Sequence, residues 1–242
     1  MIIYGLNPVL EALRAGRVRA IRVAGRHDRR MQELLELAGR AGVAVRQADA
    51  SELDRAARGG LHQGVVAEID EGRDFSVGEL VAGAAGVPLL VVLDGVEDPH
   101  NVGAILRVAD AAGTDGVIRQ TRRSAAMDGA AAKASAGALA HVRVASVVNI
   151  ARALEELKAA GVWTVGLAGD APVAYSEVDL TLPSAIVLGA EGSGLRRLVR
   201  ERCDVRAAVP MRGHVGSLNV SVTAGIVLFE ALRQRARAGR AP

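Results

Sequence analysis

Cysteine is nearly absent from this 242-residue chain. The single Cys203 excludes an internal disulfide and fits a reducing, cytoplasmic setting. Aromatic residues are as scarce: Tyr4, Phe75, Trp163, Tyr175 and Phe229 are all there are, too few for a stacking platform that grips single-stranded nucleic acid. Lysine is reduced to Lys133 and Lys158, so the other basic residues are arginines, whose forked guanidinium suits phosphate and base faces. Codon bias in an Ala/Gly/Val/Leu-rich chain explains the same excess. No long apolar run exists; the longest purely aliphatic stretch, 89–93, is far below the roughly 20 residues of a spanning helix. The first twenty residues lack a basic segment followed by an apolar run and a small-residue cleavage site, so no export signal is expected. The five histidines are scattered without zinc-ligand spacing, and no G-x-S-x-G elbow occurs, so no metal is expected.

What remains is a chain with 50% hydrophobic and 24% charged residues and a formal net charge of +3, which excludes general disorder and leaves enough apolar mass for one domain or two modest ones. Residues 1–70 read as a small α/β unit, with strands over 19–25, 43–47 and 65–69, a helix over 31–41, and a short helix capped by Ser51. Arginines exceed acids there, and Arg26, Arg29 and Arg30 are candidate contacts to RNA phosphates, a solvated basic turn being the plain alternative. Residues 71–86 break the pattern and read as a linker. From 87 to 242 strands alternate with helices. Strands are expected over 89–93, 116–118, 143–146, 162–167, 185–188 and 206–209; helices are expected over 102–112, 128–140, 149–160, 195–202 and 218–235. Such alternation predicts a parallel sheet with helices on both faces, binding ligands beyond the carboxyl ends of its strands.

Three loops fall at those ends. In LDGVEDPHNVGAILR (93–107), Asp98 and Pro99 form a cap and first-turn pair, Asn101 occupies the first turn, and Arg107 lies off the apolar face beside a strip of small residues. In LGAEGSGL (188–195), three glycines permit close backbone approach, but the spacing matches neither phosphate fingerprint, and Glu191 opposes a phosphate. In VPMRGHVGSLNVSV (209–222), Ser217 reads as the N-cap of a strongly apolar final helix, and Asn219 has no evident packing role.

Taken together, LDGVEDPHNVGAILR, LGAEGSGL and PMRGHVGSLNVSV resemble, in order, the three signature motifs of the SpoU (TrmH-like) family of RNA ribose 2′-O-methyltransferases. IYGLNPVLEAL near the start and HQGVVA at 62–67 resemble the small substrate-binding domain attached to many members. The resemblance implies a SPOUT fold: an α/β parallel sheet whose C-terminal part is threaded into a trefoil knot, preceded by a small α/β RNA-binding domain. It also implies S-adenosyl-L-methionine as methyl donor, a homodimer joined through the final helix, and no metal. Gly189, Val209 and Leu218, with Gly192 and Met211, fall on the cofactor pocket; Asn101, Arg107, Glu191, Ser217 and Asn219 fall on the catalytic positions. In that scheme Arg107 accepts the hydroxyl proton or steers the adjacent phosphate, Glu191 orients it, Asn101 and Asn219 hold arginine and hydroxyl in register, and Ser217 shapes the turn. The target it points to is a guanosine of 23S ribosomal RNA. A tRNA ribose is the second reading, and a non-catalytic RNA-binding ribosome-assembly protein the third.

Overall fold

The computed structural model describes residues 1–242 except Arg26, His27, Glu71, Arg123, Ala126, Asp128 and 240–242. The chain begins with β1 (Ile2–Tyr4), α1 (Leu6–Arg14), β2 (Val18–Val23), α2 (Arg29–Arg40), β3 (Ala44–Gln47), α3 (Ala50–Ala56) and β4 (Val65–Ile69). The four strands form a sheet of order β1-β4-β2-β3, parallel only between β2 and β3. β1 and α1 lie ahead of the first element expected from the hydrophobic pattern. α2 starts at Asp28, whose carboxylate accepts the Met31 N–H at 2.9 Å. The cap of α3 is Asp49, not Ser51. Asp49 has the extended backbone that aims its carboxylate at the Glu52 N–H (2.7 Å), whereas Ser51 is already helical and donates its hydroxyl to Asp49.

The second part contains α4 (Val77–Ala82), β5 (Leu89–Asp94), α5 (Pro99–Ala111), β6 (Gly116–Gln120), α6 (Gly129–Ala134), β7 (Val144–Val147) and α7 (Ile150–Ala159). It continues with β8 (Trp163–Leu167), β9 (Val173–Ala174), β10 (Ser184–Gly189), α8 (Arg197–Arg202), β11 (Val205–Ala208) and α9 (Val220–Arg237). Its strands form a parallel sheet of order β7-β6-β5-β10-β8-β11-β9. The fully buried β5 shows why both faces are covered. Leu89, Val91 and Leu93 pack with Ile105 and Leu106 of α5 and Val227 and Leu228 of α9, while Leu90 and Val92 face Leu154 and Leu157 of α7 and Val199 of α8. The parallel sheet with helices on both faces is thus as expected.

The two sheets share a core, because the α5 and α9 cluster continues through Ile3, Leu6, Val9 and Leu10 of the first unit. Arg17 reaches across to the Leu139 carbonyl at 3.0 Å, and Tyr4 packs so closely on α6 that a Cβ at Gly129 would lie 2.3 Å from its ring. The expected single helix over 128–140 is broken into α6 and a 3₁₀ turn at Ala138–Ala140. Ala136 (φ 52°) and Gly137 (φ 102°) leave the right-handed region, and Gly137 has room for no Cβ beside Glu11. Within the stretch read as a linker, Phe75 donates to the Val144 carbonyl at 2.9 Å, and Ser76 with Glu79 forms a capping box that starts α4. Among the described residues no helix is long and apolar enough to cross a membrane.

The final helix is pinned by a buried arginine. Arg235 is 5% exposed, and its guanidinium donates to the carbonyls of Val87 (2.5 Å), Pro88 (2.9 Å), Leu180 (3.0 Å) and Leu182 (3.1 Å), where the chain enters β5 and β10. Burial pulls its pKa below the ordinary arginine value, with Asp115 opposing that fall. Arg235→Ala should lower unfolding stability by about 3 kcal/mol, because four acceptors lose their donor together. Denaturant titration reads the loss, and a change below about 1 kcal/mol would show that the carbonyls find other partners.

Candidate functional site

β5, β10 and β11 release their chains at one edge of the sheet, since all run in the same direction. The β5 loop leads into α5, where Asp98 caps by accepting the His100 N–H at 2.9 Å and Pro99 takes the first helical position, as expected from the sequence. Asn101, one turn in, is 6% exposed. The β10 loop folds back as a small hairpin: the Ala190 N–H donates to the Gly194 carbonyl at 3.1 Å, and the reverse bond is 2.9 Å. Gly192 and Gly194 have φ of 80° and 66°, which L side chains rarely adopt. A Cβ at Gly189 would meet the Gly194 backbone at 2.2 Å, so only glycine lets the hairpin close over the strand end.

The β11 loop runs exposed through Ser217 and enters α9 at Asn219. Asn219, not Ser217, is the N-cap. Its backbone is non-helical, and its Oδ1 accepts the Ser221 N–H (2.8 Å) and hydroxyl (2.6 Å). The other end of the same amide joins the loops: Nδ2 donates to Asn101 Oδ1 and to Glu191 Oε1, each at 2.9 Å. Three residues separated by as many as 118 positions meet on one NH2 group.

Arg107 does not join them. It projects exposed from α5, about 9 Å further along the helix axis, and makes no hydrogen bond or ion pair among the described residues. Glu191 bonds to Asn219 rather than orienting Arg107. The small-residue strip beside Arg107 is nevertheless filled by backbone, because a Cβ at Gly103 would lie 2.5 Å from the Ala131 carbonyl of α6.

Two clefts flank the junction. The larger, about 670 Å³, is lined by Gly189, Gly192, Val209, Met211 and Leu218, together with Glu191, Ser217 and Asn219. The smaller, about 310 Å³, is lined by Asn101, Glu97, Asp98 and again Glu191. The larger cleft suits S-adenosylmethionine. Its volume fits a ligand of that size, glycine backbone forms one wall, Leu188, Leu195 and Val220 supply apolar surface, and Glu191 contributes a carboxylate to the lining. Arg29, exposed in the first turn of α2, and Arg30, which donates to Asn7 at 3.1 Å, line neither cleft; Arg26 lies outside the described residues. Cys203 is a packing group: burial pushes its thiol up to about 12, and Sγ donates to the Val199 carbonyl at 3.2 Å.

Sequence reasoning passed over one pair. Asp94, at the end of β5, is 0% exposed and accepts the Arg196 backbone N–H at 2.8 Å and its Nε at 2.6 Å. The available signal was an acidic residue closing an otherwise aliphatic strand, LLVVLD.

The SpoU rRNA Methylase family matches residues 88–229, and a domain described as RNA 2′-O ribose methyltransferase substrate binding matches residues 2–74. The 23S rRNA (guanosine-2′-O-)-methyltransferase RlmB of Pseudomonas aeruginosa is 47% identical over 96% of this chain and 96% of its own. The protein of that name from Yersinia pestis is 46% identical over 97% of each chain. Among solved structures, the SpoU methyltransferase AviRb from Streptomyces viridochromogenes in complex with AdoMet superposes with a TM-score of 0.83. It is 26% identical, covering 98% of this chain and 91% of that one. The activity class expected from the motifs, S-adenosylmethionine-dependent RNA 2′-O-methylation, is upheld: the chain belongs to the SpoU rRNA Methylase family.

Proposed function

We propose that this chain methylates the ribose 2′-hydroxyl of a guanosine in 23S ribosomal RNA, within the bacterial cytoplasm. The observation that carries the reading is the Asn219 amide, which holds Asn101 and Glu191 together between a cofactor-sized cleft and a smaller polar one. Relatives 46–47% identical over nearly the whole chain are named for that target.

In this reading Gly189, Gly192, Val209, Met211 and Leu218 hold S-adenosylmethionine in the larger cleft. When bound, that group supplies a methyl already activated on a sulfonium. The chain's own task is to present the sugar oxygen in line and take its proton; such orientation is worth up to about 7–11 kcal/mol in the ideal limit. Glu191 lines both clefts, and its Oε1 is held by Asn219 while Oε2 has no bond among the described residues. We assign Oε2 as the acceptor of the hydroxyl proton. Arg107, exposed and unpaired among the described residues, steers the phosphate next to the target ribose. Ser217 shapes the cleft wall, and Asn101 and Asn219 keep Glu191 aimed. The same reading carries the trefoil knot, supported by the bonds that Asn219, between β11 and α9, makes to Asn101 after β5 and Glu191 after β10. It carries the homodimer along α9 as well, supported by Val222 and Phe229, which are 49% and 51% exposed; sedimentation equilibrium of the purified chain reads the dimer.

Deleting the gene and mapping ribose methylations across all stable RNAs should remove one mark, on a 23S guanosine. Loss of a tRNA mark instead, or of none, refutes the assignment.

Asn219→Asp keeps the helix cap but replaces the shared donor with a carboxylate facing Glu191. It should lower kcat by about 100-fold or more while the melting temperature stays near wild type. Glu191→Gln should fall similarly, and Arg107→Ala should abolish transfer with S-adenosylmethionine affinity nearly intact. Full turnover in any of the three removes that residue from the mechanism.

Arg29 and Arg30 remain candidate phosphate contacts on the first sheet unit. Replacing both by Ala should reduce the slope of log affinity against log salt by about 1–2, and an unchanged slope excludes them.

A further inference from the structure

We infer that Asp94, acting through Arg196, is the positioning residue that holds the Glu191 hairpin in place and so sets the partition between the two clefts. The inference rests on the methyl-transfer reading above and extends it to residues that line neither cleft's reacting centre.

The hairpin has little else to hold it. Residues 191–193 are exposed, and a Cβ at Gly192 or Gly194 would meet nothing within 4 Å, so the outer side of the hairpin is open among the described residues. Its internal bonds, Ala190 with Gly194 and Ser193 to Glu191, fix its shape but not its placement. Placement comes from the Glu191 bond to Asn219 and from the two ends. One is β10, where Gly189 lies opposite Asp94 in the parallel register with β5. The other is Arg196, just past the hairpin. There a single carboxylate accepts the backbone N–H on Oδ2 and the side-chain Nε on Oδ1, and a second guanidinium nitrogen pairs with Oδ1 as well. Three donors converge on one fully buried anion. This is a forked, charge-assisted contact whose geometry tolerates little rotation.

Asp94 immediately precedes Gly95, the first residue of the loop that leads into α5 and Asn101. Asp94 therefore stands at the root of both loops that meet on Asn219. Ala190, Glu191 and Ser193 line both clefts, so any swing of the hairpin about Gly189 changes the two volumes in opposite directions and carries the Glu191 carboxylate off the Asn219 amide. Arg196 supplies the counter-charge from the solvent side: its side chain is 44% exposed, whereas that of Asp94 is 0% exposed. The cation is thus hydrated on one side, while without it the buried carboxylate would keep only the Arg196 backbone N–H.

A positioning role separates from a purely structural one by coupling. In a double-mutant cycle, Asp94→Asn and Glu191→Gln should each lower kcat by about 30–100-fold, and the double variant should be no more than about 3-fold below the slower single variant, because both remove the same aimed carboxylate. Melting-temperature changes of the same pair should add, since stability does not pass through Glu191. Arg196→Lys, which keeps the backbone bond and a cation, should retain more activity than Arg196→Ala. If Asp94→Asn does not fold, the Arg196→Ala/Glu191→Gln cycle carries the test, because the Arg196 N–H bond to Asp94 survives in it. An RNA-independent readout accompanies it: affinity for S-adenosylhomocysteine, measured by calorimetry, should fall about 5–20-fold in Asp94→Asn, or in Arg196→Ala where that variant stands in, through the displaced cleft wall. Additive losses in kcat, or wild-type affinity for S-adenosylhomocysteine, overturn the clamp. A wild-type chain that binds S-adenosylhomocysteine yet methylates no RNA overturns the proposed function instead, and the affinity measurement still decides the clamp.

Discussion

The placement of β10 between β5 and β8, parallel to both, is the constraint from which the site follows. Register pairing sets Gly189 opposite Asp94, so two loops begin side by side although 95 residues apart in number, and β11, one strand beyond β8, delivers the third to the same edge. Backbone hydrogen bonding alone brings the loops together. Side chains then need only small reach: the Asn219 amide spans both neighbours at 2.9 Å.

The joints that keep this arrangement are polar groups removed from water, and each is costly to leave half made. Asp94 meets three donors of Arg196, and Arg235 spreads over four carbonyls at the opposite, amino-terminal edge of the sheet. An isolated buried charge costs several kcal/mol, and breaking one side of such a pair typically costs about 3–5 kcal/mol. Geometry is therefore enforced at both edges, with apolar packing of β5 against α5, α7, α8 and α9 between them. The catalytic edge is left with exposed glycine-rich backbone, where close approach of a ligand needs the absence of side chains.

Much of the fold was legible because period and punctuation are local. The all-aliphatic run before Asp94 announced a buried strand, and Asp98–Pro99 announced the start of α5. Errors arose where two local signals competed. Ser51 and Ser217 are good caps by residue type, but the helix begins where the backbone leaves the extended region, after Asp49 and Asn219. The alanine-rich stretch 128–140 favours helix throughout, yet Gly137 packs against Glu11 of another unit and the helix stops short. β1 and α1 carry short apolar patterns whose reason is tertiary: Ile3 and Leu6 complete a core that includes α5.

The sequence by itself determined which residue types stand at the three strand ends, that glycines punctuate two of them, and that one cysteine and five aromatics exclude other chemistries, because these are properties of neighbours along the chain. Only the tertiary structure decided that Asn219 rather than Arg107 partners Glu191, that Asp94 pairs with Arg196, and that Arg107 stands exposed without a partner among the described residues. Those facts depend on distances between segments as far apart as 118 residues, which are set by sheet order and helix packing rather than by any spacing a linear pattern contains.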